Sequence, residues 1–121
     1  MTYETLLDEA LAALPEFKKK YDLLVKEDII DEESGMHIVF GYVFTPMLEE
    51  AIQAGNNADI QEMCDFLEKM AASDDVHVQE VCDQSVLERI CSIYPDKKII
   101  PFIGNETYQG LLAVRQYIDE P

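Results

Sequence analysis

His77, Asp83 and Ser85 are the residue types of a general base, its orienting acid and a nucleophile, and they stand close together in the chain. Nucleophilic catalysis needs such a trio to converge on one point. On a helix only residues three, four or seven apart share a face, so 77, 83 and 85 diverge. His77 reads instead as a surface histidine in a first helical turn. Cys64, His77, Cys82 and Cys91 carry zinc-ligating atoms. Structural zinc sites usually take ligand pairs from tight turns such as C-x2-C. Here the candidates fall in or beside helices, with Cys64 and Cys82 on apolar faces. They read as buried free thiols in a reducing compartment. Asp28, Asp31, Glu32, Glu33 and Gly35 cluster without the EF-hand spacing, and read as a solvated acidic loop. Thr45-Pro46 could turn a DNA-reading helix pair, but Glu49 and Glu50 flank it with no cation nearby. There is no glycine-rich phosphate loop and no HExxH. The sequence therefore predicts no enzyme, no cofactor and no metal site.

What remains is charge. The 121 residues carry 25 acids against 9 bases, a net charge of −16. Between Glu27 and Cys91 stand 16 acids and only two bases, Lys69 and Arg89. Lys18, Lys19, Lys20 and Lys26 gather four of the nine bases at one place. A one-signed field of this kind repels nucleic acid and anionic lipid, and attracts basic proteins. Acids near helix starts, such as Asp74 and Asp75, have a local reason to be there in the helix dipole. Glu80 and Asp83 are three apart on one helix and are expected to share an outward side. Like charges there cost a few tenths of a kcal/mol, so another use is implied. Glu32, Glu33, Asp74, Asp75, Glu80 and Asp83 are the predicted partner-binding patch.

The elements that must position these groups are helices. Apolar residues are 48 % of the chain, and they recur at spacings of three and four. Thr2 is expected to cap a helix over Tyr3 to Ala13, and Pro15 to open a second one running to about Glu27. Asp28 to Gly35 reads as a loop. Met36 to Phe44 is the most apolar stretch and alone could be a buried strand. With the helix Pro46 to Ala54 it reads as a buried helical hairpin or one kinked helix. Gly55-Asn56-Asn57 ends it. Ala58 to Ser73 and Val76 to Cys91 are amphipathic helices. Pro95 breaks the chain, a short helix covers Asp96 to Ile103, and a last one runs from Glu106 to Asp119. No segment is apolar enough to span a bilayer. Met1-Thr2-Tyr3-Glu4 lacks the basic start of a secretory signal, which predicts a cytoplasmic address.

Residues 58 to 91, a helix pair joined through Asp74-Asp75, resemble one unit of a HEAT-type repeat. Such pairs need neighbours stacked on both sides. The stretch His37 to Pro46 (HIVFGYVFTP), with Ile60 to Met70 and Ser73 to Leu87, resembles a family of small acidic all-helical bacterial proteins. Some members resemble immunity proteins of contact-dependent or polymorphic toxin systems. The resemblance implies an all-α, irregular HEAT-like stack over a single domain, residues 1 to 121. It also implies a protein that neutralises a toxin without catalysis of its own, and the acidic field points to a basic one, such as a nuclease, whose active site the protein would cover. The alternative is a HEAT-like adaptor joining cellular proteins.

Overall fold

In the computed structural model, which describes residues 1–119, the chain is all-α, with no strand among the described residues. Helix α1 (Leu6–Ala13) opens later than a cap at Thr2 would have it. Thr2 to Thr5 instead form a separate turn, with the Thr5 N–H on the Thr2 carbonyl. Leu14 is extended because Pro15 crowds the residue before it out of helical space, and Pro15 starts α2 (Pro15–Lys26). Asp28 closes α2 in the left-handed region at φ 62°. Its short polar side chain is among the few besides glycine to tolerate that conformation.

The strand-or-helix ambiguity at Met36 to Phe44 resolves as one rod, α3. It comprises an α segment (Met36–Val39), a π-helical segment (Phe40–Phe44) and a second α segment (Thr45–Ala54). The Thr45 N–H reaches back five residues, to Phe40 O. Pro46 accounts for the widening. Its ring lacks an N–H and would strike the carbonyl four residues back, and a wider turn makes room. Gly55, at φ 65°, ends the rod. Asn56 then caps α4 (Asn57–Ala71), accepting the Asp59 N–H at 3.2 Å.

Rod α5 likewise has an α start (Val76–Glu80), a π-helical middle (Val81–Leu87) and an α end (Glu88–Ile93). Its buried positions step from Val81 and Cys82 to Val86 and Leu87, a stride of five that a regular helix would not give. The expected helix over Asp96 to Ile103 is two 3-10 turns, Asp96–Lys98 and Ile100–Phe102. The last helix is α6 (Asn105–Asp119).

Helices α4 and α5 form an antiparallel hairpin. Rod α3 runs parallel to α5, since its pairings climb together: Thr45 with Ser85, Glu49 with Arg89, and Gln53 with Tyr94. Helix α6 packs on both α4 and α5. Phe17, Phe40, Phe44 and Phe66 interlock at the centre, with ring centroids 5.4 to 6.4 Å apart. Aromatic pairs of this kind contribute about 0.5–1.5 kcal/mol each beyond their area. The π segments of α3 and α5 face each other, and the buried Thr45 hydroxyl donates to Ser85 O at 2.6 Å. No helix among the described residues is long and apolar enough to cross a membrane.

Candidate functional site

Two of the acidic segments meet at one end of the molecule through Tyr3. Its backbone N–H donates to Asp75 Oδ2 at 2.8 Å, and its hydroxyl accepts the Met36 N–H at 3.1 Å. That ties the end of the loop carrying Glu32 and Glu33, at Met36, to the start of α5. Ser73 reinforces the join by donating to Met1 O at 2.7 Å. Within the loop, Asp31 Oδ1 accepts the Glu33 N–H, and the Ser34 hydroxyl accepts the Asp31 N–H. Burial raises the Tyr21 hydroxyl above its ordinary value, and the charges of Glu32, Asp22 and Asp31 raise it further. The loop's charge is therefore felt at Tyr21 on α2.

The six predicted residues divide by what they touch. Glu32, Glu33 and Asp74 are exposed, and none has a cation or hydrogen-bond donor on its side chain among the described residues. Glu80 is half-buried and lies 3.6 Å from His77 Nδ1. Asp75 serves the fold. Its Oδ1 accepts the His77 N–H, capping α5, while Oδ2 holds Tyr3. Those bonds, Tyr3's first, hold its carboxyl below the usual range.

Asp83 departs from expectation. It does not share an outward side with Glu80 but turns against α6. A Cβ placed on Gly110 would lie 2.6 Å from its Oδ1. The π-helical turn that begins at Val81 explains the difference, because each residue of a wider turn advances less around the axis. Partial burial raises the Asp83 carboxyl above 3.8.

The catalytic trio is not brought together. His77 packs edge-on against Tyr3, with ring centroids 6.2 Å apart. Ser85 Oγ pairs with His37 Nδ1 at 2.7 Å, a contact across 48 residues that periodicity could not disclose. That distance suits a base and a nucleophile. However, no third group among the described residues bonds the His37 ring to orient it. The three thiols are free and buried. Burial pushes Cys64 up to about 12 and Cys91 to about 11, and raises Cys82 as well, so none is a ready thiolate.

Sequence reasoning also missed Glu68. From α4 it accepts the Glu106 and Thr107 N–H groups at 3.1 and 2.8 Å, and the Thr107 hydroxyl at 2.8 Å. Burial alone would raise its carboxyl, but these bonds outweigh burial and hold it below 4.5.

Residues 7–119 match the family described as "Domain of unknown function (DUF7674)", and the protein belongs to that family. No curated protein and no solved structure matches the chain.

Proposed function

We propose that this protein is a non-catalytic binder of a basic protein, acting as an immunity protein that covers the active site of a cationic toxin such as a nuclease. The observation that carries the reading is the acidic end of the molecule. There Glu32, Glu33 and Asp74 stand exposed, with no cation on them among the described residues, on a scaffold fixed by Tyr3 and Asp75. Unpaired acids repel one another, and a cationic partner relieves that repulsion. Long-range attraction speeds encounter, and desolvated pairs at the centre of an interface couple by about 1.5–7 kcal/mol. The same field disfavours nucleic acid and anionic membranes as partners. The antiparallel α4–α5 hairpin, with α3 alongside and parallel to α5, supports the HEAT-like reading of the stack.

The test is co-purification of the tagged protein from its own cells, followed by association kinetics at two ionic strengths. A basic partner whose association slows as salt rises is the expected result. A neutral or acidic partner, or a rate indifferent to salt, would overturn the proposal. The adaptor alternative predicts a partner that is no toxin and keeps its own activity in the complex.

A further inference from the structure

A second surface lies toward the other end of α3. Helix α2, the second half of α3 and the start of α4 enclose an open groove of about 540 Å³. Its floor is apolar: Leu14, Leu23, Met47, Ala51 and Met63. Leu23 is 49 % exposed there, although a large apolar side chain gains by burial.

The rims carry opposite signs. On the α2 side Glu16 and Lys19 neutralise each other at 3.1 Å, which leaves Lys20 half-buried with no partner among the described residues. On the other side stand Glu50, Asp59 and Glu62, all exposed and none paired with a cation among the described residues. Asp59 alone is engaged, by the Asn56 amide at 2.8 Å.

We infer that this groove docks an amphipathic helix of a partner protein, its apolar seam on the floor and a lysine- or arginine-rich flank against Glu50, Asp59 and Glu62. An acidic side chain on the opposite flank would meet Lys20. Small-molecule sites hold a few polar groups converging on one point inside a largely enclosed cavity. Here the polar groups are spread along two facing rims above an open apolar trough, the pattern of a helix lying in a groove. Met47 and Met63 give the floor the adaptability that such surfaces use. Docking here goes beyond the capture reading, because apolar contact together with short-range pairing along the rims, not long-range attraction, would supply the affinity, and it uses none of Glu32, Glu33 or Asp74.

The test is an NMR titration of the full chain carrying carbon-13 methionine methyls, with a synthetic amphipathic helix of leucine and lysine as the probe. The Met47 and Met63 signals should shift while those of Met36 and Met70, buried away from the groove, stay in place. Ala54→Trp, which fills the groove from its rim, should weaken binding by roughly tenfold or more, equivalent to about 1.4 kcal/mol. The rim variant Glu50→Lys/Glu62→Lys should do the same without adding bulk. A leucine–glutamate helix should bind at least roughly tenfold more weakly. Binding should survive Glu32→Gln/Glu33→Gln/Asp74→Asn. Shifts spread over Met36 and Met70 as well as Met47 and Met63, or undiminished binding by both groove variants, would overturn the inference. If the groove fails while a basic partner is still captured, the capture reading stands alone. If the groove binds and no basic partner is found, the groove stands alone.

Discussion

Glu68 and Asp83 press the same kind of group against the same helix, α6, and meet opposite environments. Glu68 sits at the amino end of α6, where unpaired N–H groups point outward, and takes three hydrogen bonds. Asp83 sits at mid-helix, where backbone amides are already committed, and faces the bare Cα of Gly110. The first is stabilised as an anion and the second is penalised. Net charge counts the two alike. In a chain of −16 the location of each carboxylate relative to backbone donors decides whether it serves the fold, strains it or stays exposed.

The largest contrast should come from removing the two groups. Glu68→Ala strips the cap of α6 and leaves the buried Thr107 hydroxyl without its acceptor. It should cost about 2 kcal/mol in chemical denaturation. Asp83→Ala should go the other way, stabilising by about 0.5 kcal/mol at neutral pH, because it relieves a half-buried charge that has no cation among the described residues and that solvent partly screens. A loss of stability from Asp83→Ala would break the comparison.

The glycines opposite each carboxylate sharpen it. A Cβ on Gly104 would lie 2.5 Å from Glu68 Cδ, and one on Gly110 would lie 2.6 Å from Asp83 Oδ1. Gly104→Ala should cost about 1–2 kcal/mol by dislodging the cap. Gly110→Ala should cost less, about 1 kcal/mol, because alanine's helix preference offsets part of the clash. Combined with Asp83→Ala, the Gly110 change should become neutral or stabilising, a coupling that a double-mutant cycle would read.

Acidity should separate the groups by sign. The folded Asp83 value is raised, so its favourable contribution is complete below the ordinary 3.8 and is lost as pH rises through the raised value. Glu68 and Asp75 are lowered. Their contributions are complete above the ordinary 4.5 and 3.8, and are lost as pH falls through the lowered values. The gain from Asp83→Asn should therefore be greatest at neutral pH and shrink as pH approaches 3.8. The loss from Glu68→Gln should shrink at still lower pH. Equal pH profiles for the two variants would contradict the assignment.

The smallest stability effects should come from the exposed acids. Glu32→Gln, Glu33→Gln and Asp74→Asn should each stay within about 0.5 kcal/mol of the parent, whereas Asp75→Asn, one residue along, should lower the melting temperature visibly.

Much of the helical framework was legible because its signals are local. Apolar spacing marked α4 and α5. Pro15, Gly55 and Asp75 each act on the backbone within a turn of themselves. The π segments were less legible. Pro46 announces a disturbance in α3 but not its form, and in α5 only the five-residue stride from Cys82 to Leu87 betrays it. That stride carried Asp83 off the expected face. The bonds that organise the candidate site span the chain: Tyr3 with Asp75, His37 with Ser85, Glu68 with Thr107. No periodicity encodes such pairs, so the sequence marked Asp75 as a helix cap and missed that it anchors the amino-terminal turn.

If the acids without structural work capture a basic partner, removing their charge must slow the encounter and leave the fold alone. The direct measurement is the association rate of the co-purified partner with the parent and with Glu32→Gln/Glu33→Gln/Asp74→Asn, at low and at physiological ionic strength. Capture predicts a roughly tenfold slower association at low salt, a shallower salt dependence and an unchanged melting temperature. An unchanged rate with the fold intact would contradict it.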